Sequence, residues 1–251
     1  MRSSPAGFSP AFSAEVLNRQ LETAQSLEAR IAGIVETVPG RIAFSTSLGL
    51  EDQAILHAIA RSGAEIDVFM LDTGRHFAET LDVIEASVQR YGRAIRIIAP
   101  SPADIESLVA RDGINGFRGS IDKRRACCDV RKVRPLRRAL AGASAWITGL
   151  RREQSTDRQT VTFATLDTAF NLLKVSPLAD WTQDRIAAYV SDNDVPVNVL
   201  HARGFASIGC QPCTRAIEPG EHIRAGRWWW ESEDGKECGL HRSPRIQAVV
   251  A

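Results

Sequence analysis

The sequence predicts an α/β protein, a parallel-type sheet flanked by helices, followed by a C-terminal extension and a mobile tail. Three observations support this. Short apolar runs alternate with amphipathic helical segments over the first two-thirds of the chain. Polar, glycine-containing loops follow three of those runs. Past Ser155 the pattern weakens into glycine, proline and charged residues.

The elements read in order. IAFST, Ile42–Thr46, is an apolar run that ends in small polar residues. LEDQAILHAIARSG follows, with Leu50, Ala54, Ile55, Ala58 and Ile59 on one helical face. IDVFMLD, Ile66–Asp72, reads as a second buried strand, His76–Tyr91 as a helix and Ala94–Ala99 as a third strand. Helical patterns return at Ala103–Arg111 and Arg125–Ala141, and Ala145–Leu150 reads as a fourth strand. Thr182 can cap a helix that ends before Pro196. The expected organisation is an N-terminal helical segment over 1–37, one nucleotide-binding α/β domain over 38–227, and a tail over 228–251.

Bulk properties narrow the function. A chain of 251 residues with 44% hydrophobic and 24% charged residues suits a globular domain with a real core. A formal net charge of +1 makes no case for nucleic acid or a membrane surface. No run approaches the roughly 20 apolar residues of a spanning helix. The opening MRSSPAGFSPAFSAE has no apolar core of a secretory signal, so a reducing compartment is expected.

In open parallel sheets, ligands bind beyond the carboxyl ends of the strands. Three loops lie there. STSLGLED puts Ser45, Ser47 and Gly49 between a strand and a helix N-terminus, where backbone N–H groups favour an anion. It lacks the lysine of a Walker loop. LDTG places Leu71 and Thr73 beside a tight turn, and TGLRREQS places Arg151 and Arg152 where a phosphate or sulfate could be held. Each alone could be an ordinary turn; together they favour a nucleotide.

Five cysteines, odd in number and clustered, do not suit a disulfide scaffold. Cys127 and Cys128 are adjacent on a basic helical stretch, and Cys210 and Cys213 form a CxxC. Four thiolates suit zinc or an iron–sulfur cluster. Neighbouring helical residues point about 100° apart, which is awkward for one small ion and easier for a cluster. Lys132 lies near the cysteine pair on the same stretch. Cys238 sits alone in KECGLH.

STSLGLED, LDTG, CCxxRKVxPLRRAL, TGxRREQS, GCxPCTRAIxPGExxRAGRWWWE and KECGLH, in this order, resemble the assimilatory adenylyl-sulfate reductases of the PAPS/APS reductase family. The resemblance runs from about Phe44 to His241. It implies an adenine nucleotide alpha hydrolase-like fold, with STSLGLED standing where PP-loop ATP pyrophosphatases carry SGGxDS. It further implies thioredoxin-dependent release of sulfite and AMP from adenosine 5′-phosphosulfate (APS). By position, Cys127, Cys128, Cys210 and Cys213 would ligate a [4Fe-4S] cluster. Lys132, Arg224, Arg227 and His241 would surround the sulfate, and Cys238 would be the nucleophile. Ser45, Ser47, Gly49, Leu71, Thr73, Arg151 and Arg152 would serve the nucleotide. A separate thioredoxin or glutaredoxin, a homo-oligomer and a cytoplasmic setting are expected. The rival readings are a 3′-phosphoadenylyl-sulfate reductase, a PP-loop ATP-dependent adenylyl or thiolation enzyme, and a cluster-based sensor in which Cys238 has no role.

Overall fold

The computed structural model describes residues 10–155, 158–231 and 240. Two helices open it, α1 (Pro10–Thr23) and α2 (Leu27–Thr37). Ser26 starts α2 by accepting the N–H of Ala29 at 3.1 Å. Then come β1 (Ile42–Thr46), α3 (Leu50–Ser62), β2 (Asp67–Leu71), α4 (Ala78–Tyr91), β3 (Arg96–Ile98) and α5 (Pro102–Asp112). Gly63 and Gly92 end α3 and α4 in the left-handed conformation, with φ of 67° and 58°. Next are α6 (Ile121–Cys128), a π-helical turn (Asp129–Val133), α7 (Arg134–Leu140), β4 (Ala145–Ile147), β5 (Ala164–Asp167), β6 (Leu172–Val175) and α8 (Gln183–Asp192).

The six strands form one sheet in the order β3-β2-β1-β4-β6-β5, parallel throughout except for the β5–β6 hairpin. The hairpin and the separate α1 and α2 go beyond the sequence reading, which saw no strand after Leu150. Strand alternation sorts the core onto two faces. Ile42, Phe44, Ala145 and Ile147 face α1–α3 and α8, whereas Ala43, Phe69 and Trp146 face α7. The single helix expected over Arg125–Ala141 is three pieces, because the π-helical turn interrupts it directly after the cysteine pair. The chain leaves β1 towards β2 on one side and returns to β4 on the other. The strand order therefore reverses between β1 and β4, and the crevice beyond their carboxyl ends is where this fold binds ligands.

A buried guanidinium ties α2 to the segment between β6 and α8. Arg30 forms two bonds to Asp180, at 2.6 and 2.9 Å, and one to the Pro177 carbonyl at 2.6 Å. Burial pushes the Asp180 carboxyl up, but the bonds from Arg30 outweigh it and hold the pKa below the usual value. A depressed folded pKa contributes stability above the unfolded value that is lost as pH falls. Asp180→Asn is therefore expected to cost about 1–2 kcal/mol at pH 7, with the deficit shrinking towards pH 3. Urea unfolding at both pH values checks this; a deficit that does not change with pH contradicts it.

Candidate active site

A cleft of about 230 Å³ opens at the reversal point. Ser45, Ser47, Leu71, Thr73, Lys132, Arg224 and Arg227 line it, as does Leu240 from the KECGLH tail. Seven of the sequence-nominated residues thus share one cavity. Asp52 organises the first loop. Its Oδ2 accepts the Ser47 N–H at 2.6 Å and the Ser47 hydroxyl at 2.7 Å. Burial pushes the Asp52 pKa up to about 6, against the pull of those two bonds. Ser45 Oγ accepts the indole N–H of Trp146 at 2.7 Å, tying β1 to β4 at the floor of the cleft. Gly49 caps α3 through its backbone and is not among the cleft-lining residues.

The two arginines of the third loop are placed differently from the expectation. Arg151 is 1% exposed, and its guanidinium is taken by Glu51, Glu153, Gln183 and the Trp181 carbonyl. Arg152 bonds the Val161 carbonyl at 2.8 Å. Neither lines the cleft; Gln154 and Arg158 of the same region do. Two further residues, His76 and Trp228, line the cleft. His76, taken for a helix residue, precedes α4 and bonds the Leu71 carbonyl at 3.0 Å, with burial holding its pKa below the ordinary value. Trp228 is buried in the cleft wall. Its backbone N–H bonds the Cys213 carbonyl at 3.1 Å, so packed structure continues past residue 227. Trp229 and Trp230 instead stack beside Phe117 and Arg118. His57 is an ordinary helix residue, its Nδ1 bonded to the Tyr91 hydroxyl at 3.2 Å.

A second, smaller cavity adjoins the first, and Lys132 lines both. Its walls include Cys127, Cys128, Cys210 and Cys213, none in a disulfide, with Arg75, Arg124 and Arg131. The π-helical turn that follows the cysteine pair carries Arg131 and Lys132; such turns recur at functional sites. Arg131 Nη1 donates to the Thr73 carbonyl at 2.6 Å, and Cys210 Sγ lies 3.3 Å from the Thr73 hydroxyl. Burial pushes the Cys127 and Cys213 thiols up, Cys213 to about 11. Burial also opposes ionisation of Cys210, but Lys132, the Thr73 hydroxyl, Arg227 and Arg131 outweigh it and bring that thiol below its usual value. Among the described residues, no three of His, Cys, Asp and Glu are gathered closely enough to hold a single metal ion. Four soft sulfur donors line one cation-rimmed cavity, a donor set whose chemistry suits either zinc or an iron–sulfur group.

Cys238 and His241 lie outside the described residues. Leu240 packs against the α7-side core with Leu71, Ile98 and Phe170.

Gly149 on the β4 loop has no room for a side chain. A methyl there would overlap Asp52 Oδ1 and stand 3.1 Å from Glu51 Cβ. Gly149→Ala is expected to destabilise by about 1–3 kcal/mol, and its combination with Asp52→Ala to cost less than the sum. Denaturant unfolding of the two single variants and the double variant measures this; full additivity would show that the two residues are not in contact.

Comparison with known proteins agrees with the geometry. The chain is 49% identical over 245 residues to adenosine 5′-phosphosulfate reductase of Agrobacterium fabrum, covering 92% of this chain and 94% of that one. It is 51% identical over 201 residues to the protein of that name from Allochromatium vinosum, covering 80% and 78%. Among solved structures, phosphoadenylyl-sulfate reductase from Candida auris in a phosphate complex superposes with a TM-score of 0.70 at 23% identity, over 85% of this chain and 100% of that one. That likeness supports the fold. Residues 41–216 match the phosphoadenosine phosphosulfate reductase domain, and the chain therefore belongs to that family.

Proposed function

We propose that the protein reduces APS to sulfite and AMP in assimilatory sulfate reduction and cysteine biosynthesis, through a sulfonate carried on Cys238. One observation carries the reading. A cation-lined cleft at the sheet reversal shares Lys132 with a four-cysteine cavity and receives Leu240, two residues from Cys238. The relatives' names support APS as the substrate.

The chemistry follows from two anions that must meet. The Cys238 thiolate attacks the sulfur of the sulfate ester, and the S–O bond to AMP breaks with its electron pair leaving on AMP. Lys132, Arg224 and Arg227 offset the repulsion between thiolate and ester and stabilise the charge that develops. His241 adds a further donor. The product is Cys238–S–SO₃⁻. A thiolate of reduced thioredoxin, or of glutaredoxin, then attacks the Cys238 sulfur. Sulfite leaves with the electron pair of the S–S bond, and a second partner thiol resolves the mixed disulfide. The two electrons of the reduction thus come from a dithiol.

Cys127, Cys128, Cys210 and Cys213 are the residues that would hold a [4Fe-4S] cluster. Its chemistry when bound is electrostatic, since no thiol–disulfide step draws an electron from it. Ser45, Ser47 and Thr73 are the nucleotide-side contacts; Gly49, Arg151 and Arg152 support the surrounding loops. No described helix is long and apolar enough to cross a membrane. A cytoplasmic homo-oligomer suits a reaction fed by a cytoplasmic dithiol.

Two outcomes are expected. Cys238→Ser abolishes sulfite release and leaves APS affinity within about twofold, because the cations that bind the ester are untouched. Sulfite formation by this variant near the parent rate would remove Cys238 from the mechanism. Purified protein is expected to be brown, with broad visible absorption lost in a Cys127→Ser, Cys128→Ser variant; a colourless protein with stoichiometric zinc contradicts the cluster. Steady-state rates with APS and its 3′-phosphorylated form separate the two reductase readings.

A further inference from the structure

Arg227 is a guanidinium buried in the cleft wall, 8% exposed, and Nη1 donates to the Ile208 carbonyl at 3.2 Å and reaches Ser207 Oγ at 3.5 Å. Its Nε is buried without a hydrogen-bond partner. A cation held this way is costly unless something else fixes and compensates it. Two neighbours do the fixing. Cζ stands 4.8 Å from the centroid of the Trp228 ring, within the range of a cation–π contact. On another side lies Gly209. A methyl on Gly209 would stand 2.5 Å from Cζ, 2.9 Å from Nη1 and closer still to Nη2. The guanidinium therefore occupies the space that any other residue at 209 would fill.

Trp228 is itself held in place. It is 2% exposed and adopts a left-handed φ of 44°. Arg124 lies 4.5 Å from its ring centroid, and the charge of Arg124 is met by Glu231 at 2.6 Å. Arg124 also lines the four-cysteine cavity. Gly209 directly precedes Cys210, and Thr214, one residue after Cys213, forms an antiparallel bridge with Arg227. The loop that carries two of the four thiols is thus also the seat of a cleft cation.

We propose that Gly209 and Trp228 are positioning residues for Arg227, and that together they aim its guanidinium at the sulfate end of the substrate. The identity of that anion rests on the proposed reading of the site as an APS reductase. The absence of a side chain at 209 and the aromatic face at 228 act on the sulfate rather than on the adenosine. A purely structural glycine or tryptophan would affect every ligand alike.

Calorimetric affinities for APS and AMP test this on cluster-loaded protein, in Gly209→Ala, Trp228→Leu, Trp228→Phe and Arg227→Ala. Gly209→Ala and Trp228→Leu are expected to lose APS affinity by about tenfold or more, with AMP affinity within about twofold and the visible spectrum unchanged. Trp228→Phe keeps a ring face and is expected to retain most of the affinity. Adding Gly209→Ala to Arg227→Ala is expected to cost little further. The proposal is overturned if Gly209→Ala binds APS like the parent. It is also overturned if Trp228→Phe is as impaired as Trp228→Leu, or if AMP affinity and colour fall together with APS affinity. If the parent itself does not bind APS, the functional reading fails instead. The seat is then read from the Arg227 Nε–H resonance, which is slowly exchanging in the parent and lost to averaging in Gly209→Ala; an unchanged resonance overturns the proposal.

Discussion

The antiparallel bridge between Thr214 and Arg227 is the constraint on which the site depends. On one side of it runs the loop with Cys210 and Cys213, whose turn is closed by bonds from Cys213 N–H to Cys210 O at 2.9 Å and from Thr214 N–H to Gln211 O at 3.3 Å. On the other side are the cleft cation Arg227 and the buried Trp228. A cysteine loop that moved would take the cation with it. The loop is also pinned to the segment that follows β2, since Gln211 N–H bonds the Arg75 carbonyl at 2.8 Å and Cys210 Sγ meets Thr73. The loop after β2, the thiols and the Arg227 guanidinium therefore form one mechanical unit.

That unit explains why so many cations can be gathered on little surface. Buried guanidinium and ammonium groups are costly unless anions accompany them. Some of the charge is met internally, as Glu231 meets Arg124 and Glu51 meets Arg151. Arg227 meets carbonyl and hydroxyl oxygens instead, and its Nε meets none. Lys132 borders both cavities. An anionic ester in the cleft and a negatively charged thiolate group behind it are complements that such a wall calls for.

Much of this was legible in the chain itself. Short continuous apolar runs mark β1 and β2, because the sheet buries both of their faces. The hairpin β5–β6 escaped notice. ATLD and LLKV are only four residues each, and their turn uses Asn171 at a φ of 52° rather than glycine. The pairing of Cys127–Cys128 with Cys210–Cys213 was visible as spacing, but their sharing of Lys132 with the cleft was not, since a π-helical turn shifts the phase of the side chains after Cys128. Adjacent arginines at 151 and 152 gave a false lead towards the cleft. Only tertiary structure shows that Glu51 and Gln183 claim the first of them and leave Gln154 and Arg158 at the cleft.

In the proposed reaction a sulfonyl group is transferred to one thiol before any reductant acts. Mixing the purified protein with APS in the absence of a dithiol, and following AMP release together with the intact-protein mass, tests that most directly. The expected result is a single burst of AMP equal to the protein present, with one sulfonate on the peptide containing Cys238 and no sulfite until thioredoxin is added. Free sulfite appearing without a dithiol, or a sulfonate on any other residue, would contradict it.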